Sequence, residues 1–154
     1  MSATFVMAGG GTGGHVIPGL AVAGELRARG HRAVFVGTNR GLETRLVPAA
    51  GFPLRLLEAG ALKQVSWTVR LRTVAGAPAG LLEAARILDQ ERPRAVFSLG
   101  GYAAGPVNLM ALAKEIPIVV MEPNALPGLA HRLIGRFAHR ALLAPGCSAA
   151  AYTA

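Results

Sequence analysis

Seven residues, Gly9-Gly10-Gly11-Thr12-Gly13-Gly14-His15, separate a short apolar run from a helical pattern that carries Pro18 in its first turn. Glycines let a backbone approach an anion closely, and the unpaired N–H groups and dipole of a helix start favour negative charge there. The chemistry implied is the cradling of a phosphate or diphosphate. Gly9, Gly11 and Gly14 also satisfy the G-x-G-x-x-G spacing of a dinucleotide turn. The acidic residue that should follow about 20 residues later is missing, because the next strand ends in Gly37-Thr38-Asn39-Arg40. Arg40 suits a 2′-phosphate, which leaves an NADP-dependent oxidoreductase as an alternative. A P-loop nucleotidase is excluded, since His15 stands where its lysine is needed.

A second glycine turn, Ser98-Leu99-Gly100-Gly101-Tyr102-Ala103-Ala104-Gly105-Pro106, again leads from a strand into a helix. Two such turns on neighbouring strands would form one crevice able to hold a diphosphate. A third strand ends in Glu122-Pro123-Asn124, followed by Ala125-Leu126-Pro127-Gly128. A carboxylate and an amide at that edge can hydrogen-bond sugar hydroxyls. Asn124 can alternatively do no more than initiate the Pro127-Gly128 turn.

The elements that must position these residues are legible from periodicity. Thr4 to Ala8, Ala33 to Gly37, Leu54 to Leu57, Ala95 to Leu99, Ile118 to Met121 and Ala141 to Ala144 read as strands, most of them β-branched or aromatic-rich and bounded by turn residues. Helical spacing connects Ile17, Leu20, Ala21 and Gly24, then Leu81, Ala84, Ala85 and Leu88, then approximately Leu129, Leu133, Ile134 and Phe137. Gly30 supplies a helix stop after Arg27 and Arg29. Strands alternating with helices predict a doubly wound α/β domain over residues 1–154, with a parallel sheet covered on both faces. All three chemistry-bearing turns then fall at the carboxyl ends of strands, where such sheets bind ligands.

These motifs, in this order and spacing along essentially the whole chain, resemble the UDP-N-acetylglucosamine:lipid I N-acetylglucosaminyltransferases of peptidoglycan synthesis, enzymes of the GT-B fold. Gly10-Gly11-Thr12-Gly13-Gly14-His15 with Pro18 is similar to that family's first glycine loop. Gly100-Gly101-Tyr102 with Gly105-Pro106 is similar to its second. Glu122-Pro123-Asn124 resembles a segment usually written Glu-Gln-Asn, with Pro123 as the departure. The resemblance implies the Rossmann-like, acceptor-side N-terminal domain, with the C-terminal donor domain absent and the isolated domain inactive. It implies transfer of N-acetylglucosamine from UDP-GlcNAc to the C4 hydroxyl of the muramoyl sugar of lipid I, with inversion, to give lipid II. His15, at the start of a helix whose dipole disfavours a cation, is the candidate general base. Thr12, Gly13, Gly14 and Asn124 are expected at the donor sugar, and Tyr102 with the second loop at the acceptor. Gly10, Gly11, Gly100, Gly101, Gly105 and Glu122 complete the expected substrate-binding set. Neither a cofactor nor a metal is expected: Asp89 is the only aspartate, so no Asp-x-Asp motif exists, and backbone dipoles would stand in for a cation. His31, His131 and His139 are read as lying at helix ends or exposed faces, without a role. The remaining alternatives are a non-catalytic module that binds a nucleotide or lipid diphosphate, and a GT-B enzyme with another acceptor.

Composition bounds the partners. Apolar residues make up 52% and charged residues 16% of the 154, which is the balance of a folding chain rather than a disordered one. The net charge of +8 is dispersed, without a like-charge block that would read as a nucleic-acid arm; it implies anionic partners without saying which, and the resemblance points to the substrates and an anionic membrane surface rather than nucleic acid. Cys147 is the only cysteine, which excludes an intrachain disulfide and fits a reducing compartment. No stretch approaches the roughly 20 apolar residues that span a bilayer, and no signal-peptide pattern opens the chain. A peripheral position on the cytoplasmic face of the bacterial inner membrane follows from the resemblance. Lys63, Trp67, Arg70 and Arg72 mix an indole with cations and are the candidate contact with an anionic leaflet, the alternative being that Trp67 and its neighbours are core or face the donor domain. The chain stops at Ala154, soon after the sixth strand, which reads as a cut point.

Overall fold

The computed structural model describes residues 1–57 and 67–144, apart from the side chains of residues 67–78 and 129. The apolar runs form six strands: β1 (Thr4–Gly9), β2 (Arg32–Thr38), β3 (Leu54–Leu57), β4 (Ala95–Gly100), β5 (Ile118–Glu122) and β6 (Arg140–Leu143). They pair in the order β3-β2-β1-β4-β5-β6, every pair parallel. The helices between them are α1 (Gly13–Ala28), α2 (Glu43–Ala49), α3 (Trp67–Glu91), α4 (Ala104–Ala113) and α5 (Leu129–Ile134), the last followed by a 3₁₀ turn at Gly135–Phe137. The winding reverses between β1 and β4, which lie side by side with Gly9 in register with Gly100. This switch point, with crossovers departing on opposite sides, opens the crevice at the carboxyl ends of the strands.

Strands β1 to β5 feed both faces of the sheet, while the edge strand β6 is largely exposed. Val6 and Ala8 of β1 join Val36, Val96 and Val120 beneath Ala84 and Leu88 of α3 and Val107 of α4. Met7, between them, joins Phe35 and Leu99 beneath Val16 and Ala23 of α1 and Val47 of α2. A sheet covered on both sides needs apolar residues at every position, which is why its strands read as continuous runs. Each such large side chain contributes about 1.5–3 kcal/mol by leaving water.

Three details differ from the sequence reading. Helix α1 begins at Gly13, so His15 lies in its first turn and Pro18 in its second. Its buried stripe is Val16, Gly19 and Ala23, while Ile17 is 61% exposed. The rotation by one residue follows because Gly19, lacking a side chain, is what lets the helix lie close to Leu99 and Phe35. Near the end of the chain Leu133 and Phe137 are exposed, and the buried positions are His131 and Ile134. A short helix whose polar positions are only His131 and Arg132 offers several equally apolar stripes, and packing chose the one that buries the histidine.

Candidate active site

The first glycine turn carries the chain from β1 into α1. Thr12 is the N-cap, in extended backbone, and its carbonyl accepts the N–H groups of His15 and Val16 at 3.2 Å. Its hydroxyl does not cap the helix but meets His15 Nδ1 at 3.2 Å. The amides of Thr12, Gly13 and Gly14 take no protein acceptor among the described residues, as expected for the orphan donors of a helix start. They and His15 Nε2, which also lacks a hydrogen-bond partner among those residues, are the open polar groups of this turn.

The rest of the turn is engaged. Gly11 N–H donates to Glu43 Oε2 at 2.7 Å, and the Gly11 carbonyl accepts from Leu42 N–H at 3.4 Å. Gly10 N–H donates to the Gly100 carbonyl at 3.3 Å, so the two glycine turns touch. Gly101 has φ +81°, and a Cβ there would lie 2.4 Å from the Gly10 carbonyl oxygen, so no side chain fits. A Cβ on Gly100 would meet His15 Nε2 at 3.1 Å and His131 Cε1 at 3.3 Å. Two imidazoles thus flank one glycine at the switch point.

Glu122, at the end of β5, is buried, with only 2% of its surface exposed. Its Oε1 accepts Asn124 N–H at 3.0 Å and Asn124 Nδ2 at 2.8 Å, and its Oε2 accepts Gly128 N–H at 3.2 Å and faces His131 Nδ1 at 2.8 Å. Burial pushes this carboxyl up. The hydrogen bonds from His131, from the backbone and side chain of Asn124 and from Gly128 outweigh it and hold the group below its ordinary value. With both oxygens taken by protein donors, Glu122 ties the turn to the end of β5. Asn124 is exposed. His131 Nε2 in turn meets the Ser98 carbonyl at 3.1 Å and hydroxyl at 3.2 Å, and Asn108 Nδ2 of α4 donates to the same hydroxyl at 2.8 Å.

The model of the glycosyltransferase family 28 N-terminal domain matches residues 5–143. The chain belongs to this family. It is 53% identical over 142 residues to the UDP-N-acetylglucosamine–N-acetylmuramyl-(pentapeptide) pyrophosphoryl-undecaprenol N-acetylglucosamine transferase of Solibacter usitatus, a match covering 92% of this chain and 39% of the relative. The protein of the same name from Anaeromyxobacter sp. (strain Fw109-5) is 48% identical, over 91% of this chain and 37% of its own length. The crystal structure of Acinetobacter baumannii MurG superposes with a TM-score of 0.81 at 28% identity, covering 94% of this chain and 42% of that one. The chain therefore spans about two fifths of the length of these relatives.

In this family 28 domain the fold brings together most of the residues singled out from the sequence. Of the first turn, which runs through Gly11, Thr12, Gly13 and Gly14, Gly10 and His15 lie against Gly101 and Gly100 across the switch point. Tyr102 is half exposed on the second turn, and Gly105 lies in the first turn of α4. Lys63, and the side chains of Trp67, Arg70 and Arg72, lie outside the described residues, as does Cys147. His131 departs from its reading, since it is 1% exposed and packed beneath the second turn. Glu43, Ser98 and Asn108 carried no assigned role. His131 was findable, because it lies three residues before Ile134 and shares its helical face. Glu43 gave no local signal beyond an acid at a helix start, since its partners lie on other segments. Its carboxylate also bears on the dinucleotide reading: the first acid after β2 is fully buried and bonded to Gly11 and Thr38, leaving it nothing to offer a ribose.

Proposed function

We propose that this chain is the acceptor-side half of an inverting, metal-independent glycosyltransferase that moves N-acetylglucosamine from UDP-GlcNAc to the C4 hydroxyl of the muramoyl sugar of lipid I, giving lipid II. The family membership and the names of the relatives support the reaction. The single geometric observation that carries it is the open Nε2 of His15 beside the unpaired amides of Thr12, Gly13 and Gly14 at the switch point. With Nδ1–H donating to the Thr12 hydroxyl, Nε2 carries the lone pair that accepts the proton of the C4 hydroxyl. That oxygen forms the new bond to the anomeric carbon from the face opposite UDP, whose bond breaks with its electron pair leaving on the diphosphate. The amides and the dipole of α1 favour anionic charge in the crevice. Asn124, held by Glu122, contributes its remaining polar atoms to the donor sugar, and Tyr102 serves the acceptor.

On this reading most of the nucleotide site is held by the part of the relatives' length that this chain does not span. The reading places the enzyme peripherally on the cytoplasmic face of the inner membrane. No described helix is long and apolar enough to cross a bilayer. The test is transfer of radiolabelled N-acetylglucosamine to a lipid I analogue by the full-length protein, wild type against His15→Ala, with analogue binding measured in parallel. A loss of about 100-fold or more with binding retained supports His15 as base. Lost binding makes it an acceptor ligand, and no transfer by the wild type rejects the function.

A further inference from the structure

Glu43 opens α2 and is completely buried. Its Oε2 accepts Gly11 N–H at 2.7 Å, and its Oε1 accepts Thr38 N–H at 2.9 Å and the Thr38 hydroxyl at 3.0 Å. Three backbones close around it. A Cβ on Gly10, Gly37 or Gly41 would lie 2.3, 2.6 or 2.0 Å from the nearest atom of its side chain. Among the described residues it has no ion-pair partner. A carboxylate taken out of water without a cation is a costly way to join two loops, and a neutral side chain could fill the space. Such violations of ordinary packing concentrate at functional sites.

What the carboxylate secures is the peptide of Gly11, which has φ +94° and is exposed. The next residue is Thr12, whose hydroxyl meets His15 Nδ1 and whose carbonyl starts α1. We propose that Glu43 is a positioning residue for the transfer reaction: by fixing the Gly11 peptide it holds Thr12 where its hydroxyl orients the His15 ring. This role rests on the reading in which His15 takes the acceptor proton. Its physical content is preorganisation, since a base that wanders by an ångström loses most of its effect. The hydrogen bonds specify a carboxylate. Two oxygens face two backbone donors, so a glutamine, whichever way its amide turns, sets an NH₂ against an N–H.

The experiment is steady-state kinetics of the full-length protein with UDP-GlcNAc and a lipid I analogue, for wild type, Glu43→Gln and Thr38→Val, with thermal unfolding of each. The expected result for Glu43→Gln is a fall in kcat of about 10–100-fold with the KM for UDP-GlcNAc held within about twofold. A merely structural glutamate would lower the melting temperature and leave kcat per folded molecule unchanged, and that outcome overturns the proposal. Should Glu43→Gln not fold, Thr38→Val removes one of the three donors and keeps the shape. It should lower kcat several-fold with KM unmoved, and an unchanged kcat overturns the role. Wild-type protein that does not transfer sugar overturns the proposed function and this role with it, whereas active wild type with a fully active Glu43→Gln overturns the role alone.

Discussion

His131 Nδ1 lies 2.8 Å from Glu122 Oε2, and both side chains are 1% exposed. The other ring nitrogen faces the carbonyl and hydroxyl of Ser98, so the imidazole bridges β5 to β4 directly beneath the second glycine turn. A ring carrying both protons satisfies the carboxylate and the carbonyl together. A neutral ring satisfies the carboxylate and accepts from the Ser98 hydroxyl. In either state the pair ties the Asn124 turn to the strand that ends at Gly100.

Removing the ring takes one of four polar partners from a buried carboxylate. His131→Ala is expected to destabilise the chain by about 3–5 kcal/mol, and Ser98→Ala, which unpairs Asn108 as well, by about 1–3 kcal/mol. Because the two share partners, the double variant should cost less than the sum. Urea unfolding of the three variants checks this, and strict additivity would place the residues in separate networks.

Acid should weaken the fold through two particular carboxyls. Burial raises Glu122, but its hydrogen bonds outweigh this. For Glu91 burial likewise raises, while the hydrogen bonds and charges of Arg32 and Arg55 pull down further. Both are held below the ordinary 4.5, so the folded chain binds these protons more weakly than the unfolded chain does. Their stabilisation is complete above the ordinary value and is lost as pH falls through the folded values. Urea midpoints between about pH 7 and about pH 3 should fall less steeply for Glu91→Gln and Glu122→Gln than for wild type. Parallel curves would mean neither group is linked to folding.

Helix α1 offers a paired test of its packing. A Cβ on Gly24 meets nothing within 4 Å, so Gly24→Ala should stabilise by about 0.5–1 kcal/mol through helix propensity. A Cβ on Gly19 would fall 2.5 Å from Leu99 Cδ1, so Gly19→Ala should cost about 1–3 kcal/mol. Thermal melts with the opposite order would refute the rotation of the helix that buries Gly19 and exposes Ile17.

Contact between the two glycine turns should be needed for transfer. Gly101→Ala meets both an unfavourable φ and the Gly10 carbonyl, so the turns must part. Full-length protein carrying it is expected to lose at least about 10-fold in kcat/KM while remaining folded. Wild-type kinetics in a folded variant would show that the turns act separately.

The strands were legible because a two-sided sheet demands unbroken apolar runs, and all six lie within one or two residues of their expected limits. The adjacency of the two glycine turns was legible from topology, since doubly wound sheets place the first and fourth strands together. Helix faces were less so. Ile17 and Val16, or Leu133 and Ile134, are equally apolar, and only the sheet beneath chooses between them. Glu122 was found by its place at a strand end, but its side chain turned inward to four polar groups of Asn124, Gly128 and His131.

The order of elements, the parallel sheet and the glycine turn that ends in His15 were determined by the sequence alone, because each depends on local spacing and on residue types within one segment. The tertiary structure decided which polar groups remain open. Gly11 and Glu43 are 32 residues apart and Ser98 and His131 are 33 apart, and no periodicity encodes those bonds. They form because most buried polar atoms find partners once the sheet has closed over them, while at the first glycine turn His15 Nε2 and the amides of Thr12 to Gly14 take none among the described residues.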